Sequence, residues 1–105
     1  MISIEVIKAE EQYTVKLGGR IDAVTSQEFQ DAVLPLVQQS THAPVLDLAG
    51  VEYLSSMGLR VLVILAKECA KKGEKLRLIE VRPDVFSILR LSGFNTFLEI
   101  ECHAG

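Results

Sequence analysis

Two adjacent hydroxyls, Ser55 and Ser56, stand directly before the longest apolar helical pattern in the chain, in the stretch Tyr53-Leu54-Ser55-Ser56-Met57-Gly58-Leu59-Arg60. A helix start offers unpaired amides and the positive end of the helix dipole. A serine there either caps the helix, by accepting a hydrogen bond from a first-turn amide, or carries a phosphate that the dipole favours. Other chemistry is sparse. Cys69 and Cys102 are isolated, with no Cys-x-x-Cys or His-x-x-x-His spacing, so free thiols and no metal are expected. His42 falls in a loop and His103 in the C-terminal tail, neither near the serines in sequence. There is no Gly-x-Ser-x-Gly elbow, and Gly18-Gly19 is too short for a phosphate loop. Asp22 and Asp47 are placed near strand ends, on the rim expected to hold Ser56, where carboxylates cap helices or meet solvent. With no acid-base set, the chain reads as a non-enzyme that needs no cofactor.

Composition narrows the partners. Over 105 residues the formal charge is −3, with Lys+Arg 11 against Asp+Glu 14, which leaves no excess positive charge to neutralise a nucleic acid backbone. An apolar share of 49% with 24% charged residues is ordinary for one globular domain spanning 1–105. Met1-Ile2-Ser3-Ile4-Glu5 lacks the basic start of a signal peptide, and the apolar run from Val61 to Ala66 falls far short of the roughly 20 residues that cross a bilayer. A cytoplasmic location without membrane insertion is expected.

Elements must then be found to position Ser55 and Ser56. Ile2, Ile4 and Val6 alternate with polar residues, as do Tyr13, Val15 and Leu17 after Glu10-Glu11-Gln12, which predicts two antiparallel strands around a turn. Gly18-Gly19 allows a bend or bulge. Thr25-Ser26-Gln27-Glu28 fits a capping box opening a helix whose inner face is Phe29, Ala32, Val33, Leu36 and Val37. Pro35 predicts a kink or an end near Leu34. Val45-Leu46-Asp47-Leu48 reads as a strand buried on both faces at the centre of the sheet. A helix follows from about Met57 to Lys72, stopped by Gly73. Lys75 to Ile79 is the next strand, and Pro83 opens a helix that carries Val85, Ile88 and Leu89 inward and ends at Gly93. Phe97, Leu98 and Ile100 form a last strand, with Cys102 to Gly105 frayed. The order β-β-α-β-α-β-α-β implies an α/β domain with a mixed, mostly parallel sheet.

On the helix beginning at Met57, a projection at 100° per residue sets Leu59, Leu62, Val63, Ala66, Cys69 and Ala70 on the core face. It leaves Met57, Val61 and Ile64 outward beside Arg60, Lys67 and Lys71. That apolar strip with a basic margin is the expected partner surface.

Along nearly its whole length the chain resembles a STAS domain of the bacterial anti-sigma factor antagonist family. Leu17-Gly18-Gly19-Arg20-Ile21-Asp22 resembles the family's Leu-x-Gly-x-Leu-Asp strand end. Val45-Leu46-Asp47-Leu48 with Val51 and Tyr53 resembles its central strand, and Leu54-Ser55-Ser56-Met57-Gly58-Leu59 its Asp-Ser-Ser/Thr-Gly-Leu switch motif. Leu91-Ser92-Gly93-Phe94 resembles its Ser-Gly-Leu helix exit. The resemblance implies a protein-binding switch that sequesters an anti-sigma factor serine kinase and frees a sigma factor. Phosphorylation at Ser56 would release the kinase, and a phosphatase would reset the switch. Asp22, Ser55, Met57 and Gly58 become switch-loop neighbours, and Met57, Arg60, Val61 and Ile64 the partner-binding surface. Ser55 stands where the family has Asp. The alternative is a STAS module that is never phosphorylated, either a subunit of a transport assembly or a nucleotide or anion sensor.

Overall fold

The computed structural model describes residues 2–9 and 12–103. In chain order they form β1 (Ser3–Lys8), β2 (Tyr13–Ile21), α1 (Thr25–Gln39), β3 (Val45–Leu54), α2 (Ser56–Ala70), β4 (Arg77–Val81), α3 (Pro83–Leu91), a 3₁₀ turn (Phe94–Thr96) and β5 (Glu99–Cys102). The strands make one five-stranded sheet in the order β1-β2-β3-β4-β5. β1 pairs antiparallel with β2, and every later pairing is parallel. The expected α/β order and mixed sheet are therefore present, with β3 at the centre.

Side-chain periodicity explains the layers. Val15, Leu17 and Ile21 of β2, Leu46 and Leu48 of β3, and Leu78 and Val81 of β4 are buried in one core. Phe29, Val33 and Val37 recur every four residues and turn one face of α1 into it. Val85 and Leu89 do the same for α3, which begins with Pro83 in its first turn. Both α2 and α3 are followed by a glycine with positive φ, Gly73 at 73° and Gly93 at 78°, the conformation that lets the chain leave a helix cheaply. Register shifts in β2 fall at Lys16/Gly18 and Gly19/Arg20, where the diglycine suggested a bulge.

Several local expectations are corrected. α1 runs on through Pro35 to Gln39. The lost bond frees the carbonyl of the exposed Asp31, which water can reach, while Val33 and Val37 remain buried on either side. The capping box does not form: Thr25 is the first helical residue, and Val24 at the N-cap makes no side-chain cap. β3 is longer than expected, β4 begins at Arg77, and β5 begins at Glu99 and includes Cys102. The His103 amide donates to the Val81 carbonyl at 2.9 Å, so the tail stays ordered to that point. Ala104 and Gly105, also expected to fray, lie outside the described residues, as do Glu10 and Glu11 of the first turn. Cys69 is buried and Cys102 exposed, both as free thiols. Burial pushes the Cys69 thiol up to about 11.

The two helices nearest the site are tied together. The Lys72 ammonium donates to the carbonyls of Val37 and Ser40, meeting the C-terminal end of α1 with a positive charge. Replacing Pro35 by Ala restores an amide donor to an exposed helical position without touching the core. Thermal or urea denaturation of Pro35→Ala should show a gain of about 1–3 kcal/mol, and a loss would mean the proline fits its site better than alanine.

Candidate functional site

The rim of the sheet at the carboxyl ends of β2 and β3 carries the start of α2. Three hydrogen bonds build it. The Ser55 amide donates to the Ile21 carbonyl at 2.9 Å, the Leu59 amide to the Ser55 carbonyl at 2.9 Å, and the Gly58 amide to Ser55 Oγ at 3.2 Å. Ser55 is thus the N-cap, in extended conformation with φ −82° and ψ 172°. Its oxygen does what an aspartate at this position would do, because both side chains accept from a first-turn amide. Ser56, the next residue, is the first of the helix. It is exposed, and its hydroxyl has no partner among the described residues.

Gly58 is buried because there is no room for a side chain. A Cβ there would lie 2.7 Å from Leu54 Cδ1 and 2.9 Å from Ile21 Cγ2. The helix therefore rests its first turn directly on the last residues of two strands.

Asp22 is used structurally. Its Oδ1 accepts from the amides of Val24 and Thr25, each at 3.0 Å. The single proton of the Thr25 hydroxyl is shared between the Arg20 carbonyl at 2.6 Å and Asp22 Oδ1 at 3.0 Å. The Thr25 amide first, then its hydroxyl and the Val24 amide, hold the Asp22 carboxyl below its ordinary value. Asp22 thus fastens the loop beneath Ser55, since it follows Ile21, whose carbonyl binds the Ser55 amide. Asp47 does not reach this rim. It is the third residue of β3, a strand that ends at Leu54, and its carboxylate accepts from the Ala49 amide at 2.9 Å.

The outward face of α2 differs from the expected one. Val61 is 4% exposed and belongs to the core with Leu62, Leu65 and Cys69, so it is not part of any partner surface. The helix is rotated by roughly a quarter turn from the projected orientation, which leaves Leu59, Val63 and Ala66 at the margin of the core and exposes Ala70. Met57 and Arg60 are exposed as expected, and Ile64 is half-buried.

Beside the expected Met57, which is 39% exposed, the rim carries groups that the sequence reading did not assign to the site: Val24 is 82% exposed and Tyr53 37%. The Arg20 guanidinium lies over the Tyr53 ring, 4.4 Å from its centroid. Arg20 and Tyr53 are register partners across β2 and β3, one residue before the buried pair Ile21 and Leu54. Strand alternation would have turned them to the opposite face had that register been known. Among the described residues no group of acids, histidines and cysteines is arranged to hold a metal ion, and no helix is long and apolar enough to cross a membrane.

Comparison with known proteins agrees with this geometry. The family model described as "STAS domain" matches residues 3–103. The anti-sigma-B factor antagonist of Staphylococcus epidermidis is 27% identical over 99 residues, covering 94% of this chain and 92% of that protein. The crystal structure of an anti-sigma factor antagonist from Mycobacterium paratuberculosis is similar with a TM-score of 0.84 and 25% identity, over 96% of this chain and 86% of that one. The unphosphorylated form of the anti-sigma factor antagonist SpoIIAA shares the fold, with a TM-score of 0.72 at 14% identity over 93% and 87% of the two chains.

Two measurements test the division of labour at this rim. Removing the cap in Ser55→Ala should cost about 0.5–2 kcal/mol in denaturant unfolding, whereas Ser56→Ala should change stability by less than about 0.5 kcal/mol. Equal costs would contradict the assignment of the cap. Because Asp22 has a depressed folded-state value, its contribution is present above its ordinary value of 3.8 and is lost as pH falls below it. The acid limb of a stability profile for Asp22→Ala should accordingly be flatter than that of the parent chain.

Proposed function

The chain belongs to the STAS domain family, and from that premise we propose that it is an anti-sigma factor antagonist whose binding is switched by phosphorylation of Ser56. Its relatives are binding proteins named for an anti-sigma factor, and the chain offers a binding rim without an acid-base set. In this reading the unmodified rim captures an anti-sigma factor that is also a serine kinase, so that a sigma factor is freed. Phosphate on Ser56 ends the capture, and a phosphatase restores it.

The observation that carries the proposal is the separation of the two serines. Ser55 caps the helix, which leaves the Ser56 hydroxyl exposed and unbonded at the first turn of α2. A phosphate there adds a charge of about −1.5 to −2 at neutral pH. The positive end of α2 tolerates that charge, so the fold has no reason to open. A partner covering Met57, Tyr53 and Val24 would instead have to desolvate it against apolar groups, which is costly. Arg20 over Tyr53 supplies an arginine and an aromatic ring together, the residue types that dominate protein interfaces when they are enclosed. Met57, Arg60 and Ile64 remain the contribution of α2 to this surface, and Asp22, Ser55 and Gly58 hold the loop in place without touching the partner.

The test is incubation with the cognate serine kinase and ATP, phosphosite mapping by mass spectrometry, and titration of partner affinity. Phosphate should appear at Ser56. Ser56→Asp should weaken partner binding by at least about tenfold, near 1.4 kcal/mol, with an unchanged melting temperature, and Ser56→Ala should bind as the parent does. Tyr53→Ala should cost about 1–2 kcal/mol of binding. An Asp variant that binds at full strength would overturn the switch, and no phosphate with the cognate kinase would return the chain to the unphosphorylated STAS modules.

A further inference from the structure

Away from the rim, along the later turns of α2, an apolar groove of about 610 Å³ runs between that helix and the 3₁₀ turn. Val63, Ala66 and Ala70 form one wall, at the spacing that lines a helix face, and Phe94 and Phe97 form the other. The two rings lie 5.0 Å apart at an interplanar angle of 45°, and Phe97 remains 38% exposed. The volume is within the range of about 300–1,000 Å³ typical of small-molecule sites, which are mostly apolar with a few placed polar groups.

Three charged side chains line the groove, two lysines and one glutamate. Lys67 and Lys75 line the groove, and neither ammonium has an ion pair or hydrogen bond among the described residues. Glu74, the acid beside them, is already committed. One oxygen takes the His42 ring nitrogen at 3.0 Å and the other takes the Ala43 amide. The hydrogen bond to His42 first, then the Ala43 amide, hold Glu74 below its ordinary value. Two ammoniums without a direct partner and one carboxylate turned toward the His42 loop thus border an apolar trough, leaving it a positive excess on a chain whose net charge is −3.

We propose that this groove binds a single-chain amphiphilic carboxylate, a free fatty acid, with its tail against Ala66, Ala70 and the two phenylalanines and its head between Lys67 and Lys75. A carboxylate satisfies both ammoniums with two oxygens, and the tail covers the apolar walls that solvent now meets. The site does not depend on the switch reading, since it uses none of the rim residues.

The experiment is a titration of the ¹⁵N-labelled chain with dodecanoate below its micelle concentration, followed by amide shifts. Saturable shifts are expected at Val63, Ala66, Ala70, Phe94 and Phe97. Octanoate should bind more weakly, by up to about fourfold for each methylene removed from full burial. Dodecyltrimethylammonium should bind at least tenfold more weakly than dodecanoate, and so should dodecanoate to the Lys67→Glu/Lys75→Glu variant at an unchanged melting temperature. The chain-length and head-group comparisons use the unaltered protein and decide the matter even if that variant fails to fold. Equal affinity for the cationic amphiphile would overturn the proposal. So would shifts centred on the exposed Val6 and Ile7 of β1, or no saturation. A groove that ignores dodecanoate but shifts with an acid-flanked amphipathic peptide would be a helix-docking surface, which likewise overturns it.

Discussion

Everything at the candidate rim depends on the contact between Gly58 and the ends of β2 and β3. A Cβ at that position would lie 2.7 Å from Leu54 Cδ1 and 2.9 Å from Ile21 Cγ2, so the first turn of α2 lies closer to the sheet than a side chain would allow. Neither neighbour can yield easily, because Leu54 and Ile21 are themselves buried core residues of adjacent, register-paired strands. Overpacking such a joint pushes side chains out of their rotamers or lifts the helix. The contact therefore fixes the rotation of α2 about its axis. Ser55 is drawn under the helix, where its amide meets the Ile21 carbonyl and its oxygen the Gly58 amide, and Ser56 is left outside. One absent side chain thus separates a structural hydroxyl from an available one.

The same rotation explains why the two ends of α2 differ. Val61, Leu62, Leu65 and Cys69 follow Gly58 around the helix into the core. At the far end Lys72 crosses to the last carbonyls of α1 and pins the second helix against it. Between these anchors the helix has little freedom to roll, and charge placed at its first turn has no packed layer to disturb. A switch that must leave the fold intact is well served by a site held on the sheet side and solvated on the other.

The sequence was informative where one periodicity excluded the other. Strict alternation in β1 and β2, the four-residue recurrence of Phe29, Val33 and Val37, and the glycines closing α2 and α3 gave element types, order and the parallel sheet. It failed where periodicity was saturated. From Leu59 to Ala66 only Arg60 is polar, so almost any rotation of α2 buries an apolar stripe and the projection cannot choose among them. Gly58 was the usable signal, since a residue without a side chain marks the line of closest approach. The tertiary contacts that settle it, with Ile21 and Leu54, are 37 and 4 positions away in the chain. Thr25 and Glu28 failed differently: their spacing suits a capping box, but Asp22, three residues earlier, takes the Thr25 amide and hydroxyl first. Arg20 and Tyr53 were invisible because their pairing exists only once β2 and β3 are in register.

The rotation of α2 also sets how its two exposed regions can influence one another. The partner surface on α2 runs from Met57 to Ile64 and the groove from Val63 to Ala70, so the two adjoin at mid-helix while their far ends, thirteen residues apart, lie about 20 Å from each other at 1.5 Å per residue. Coupling between distant sites requires an element with two arrangements that each ligand biases differently. α2 is held at Gly58 and, just past its end, by Lys72, so the direct route by which a molecule in the groove acts on the rim is occupancy. A small partner seated on Met57 and Tyr53 would be indifferent to the groove, whereas one broad enough to follow α2 to Ala70 would compete for it directly. The geometry thus favours exclusion over allostery, and the size of the partner, rather than any motion of the domain, decides whether the two surfaces communicate.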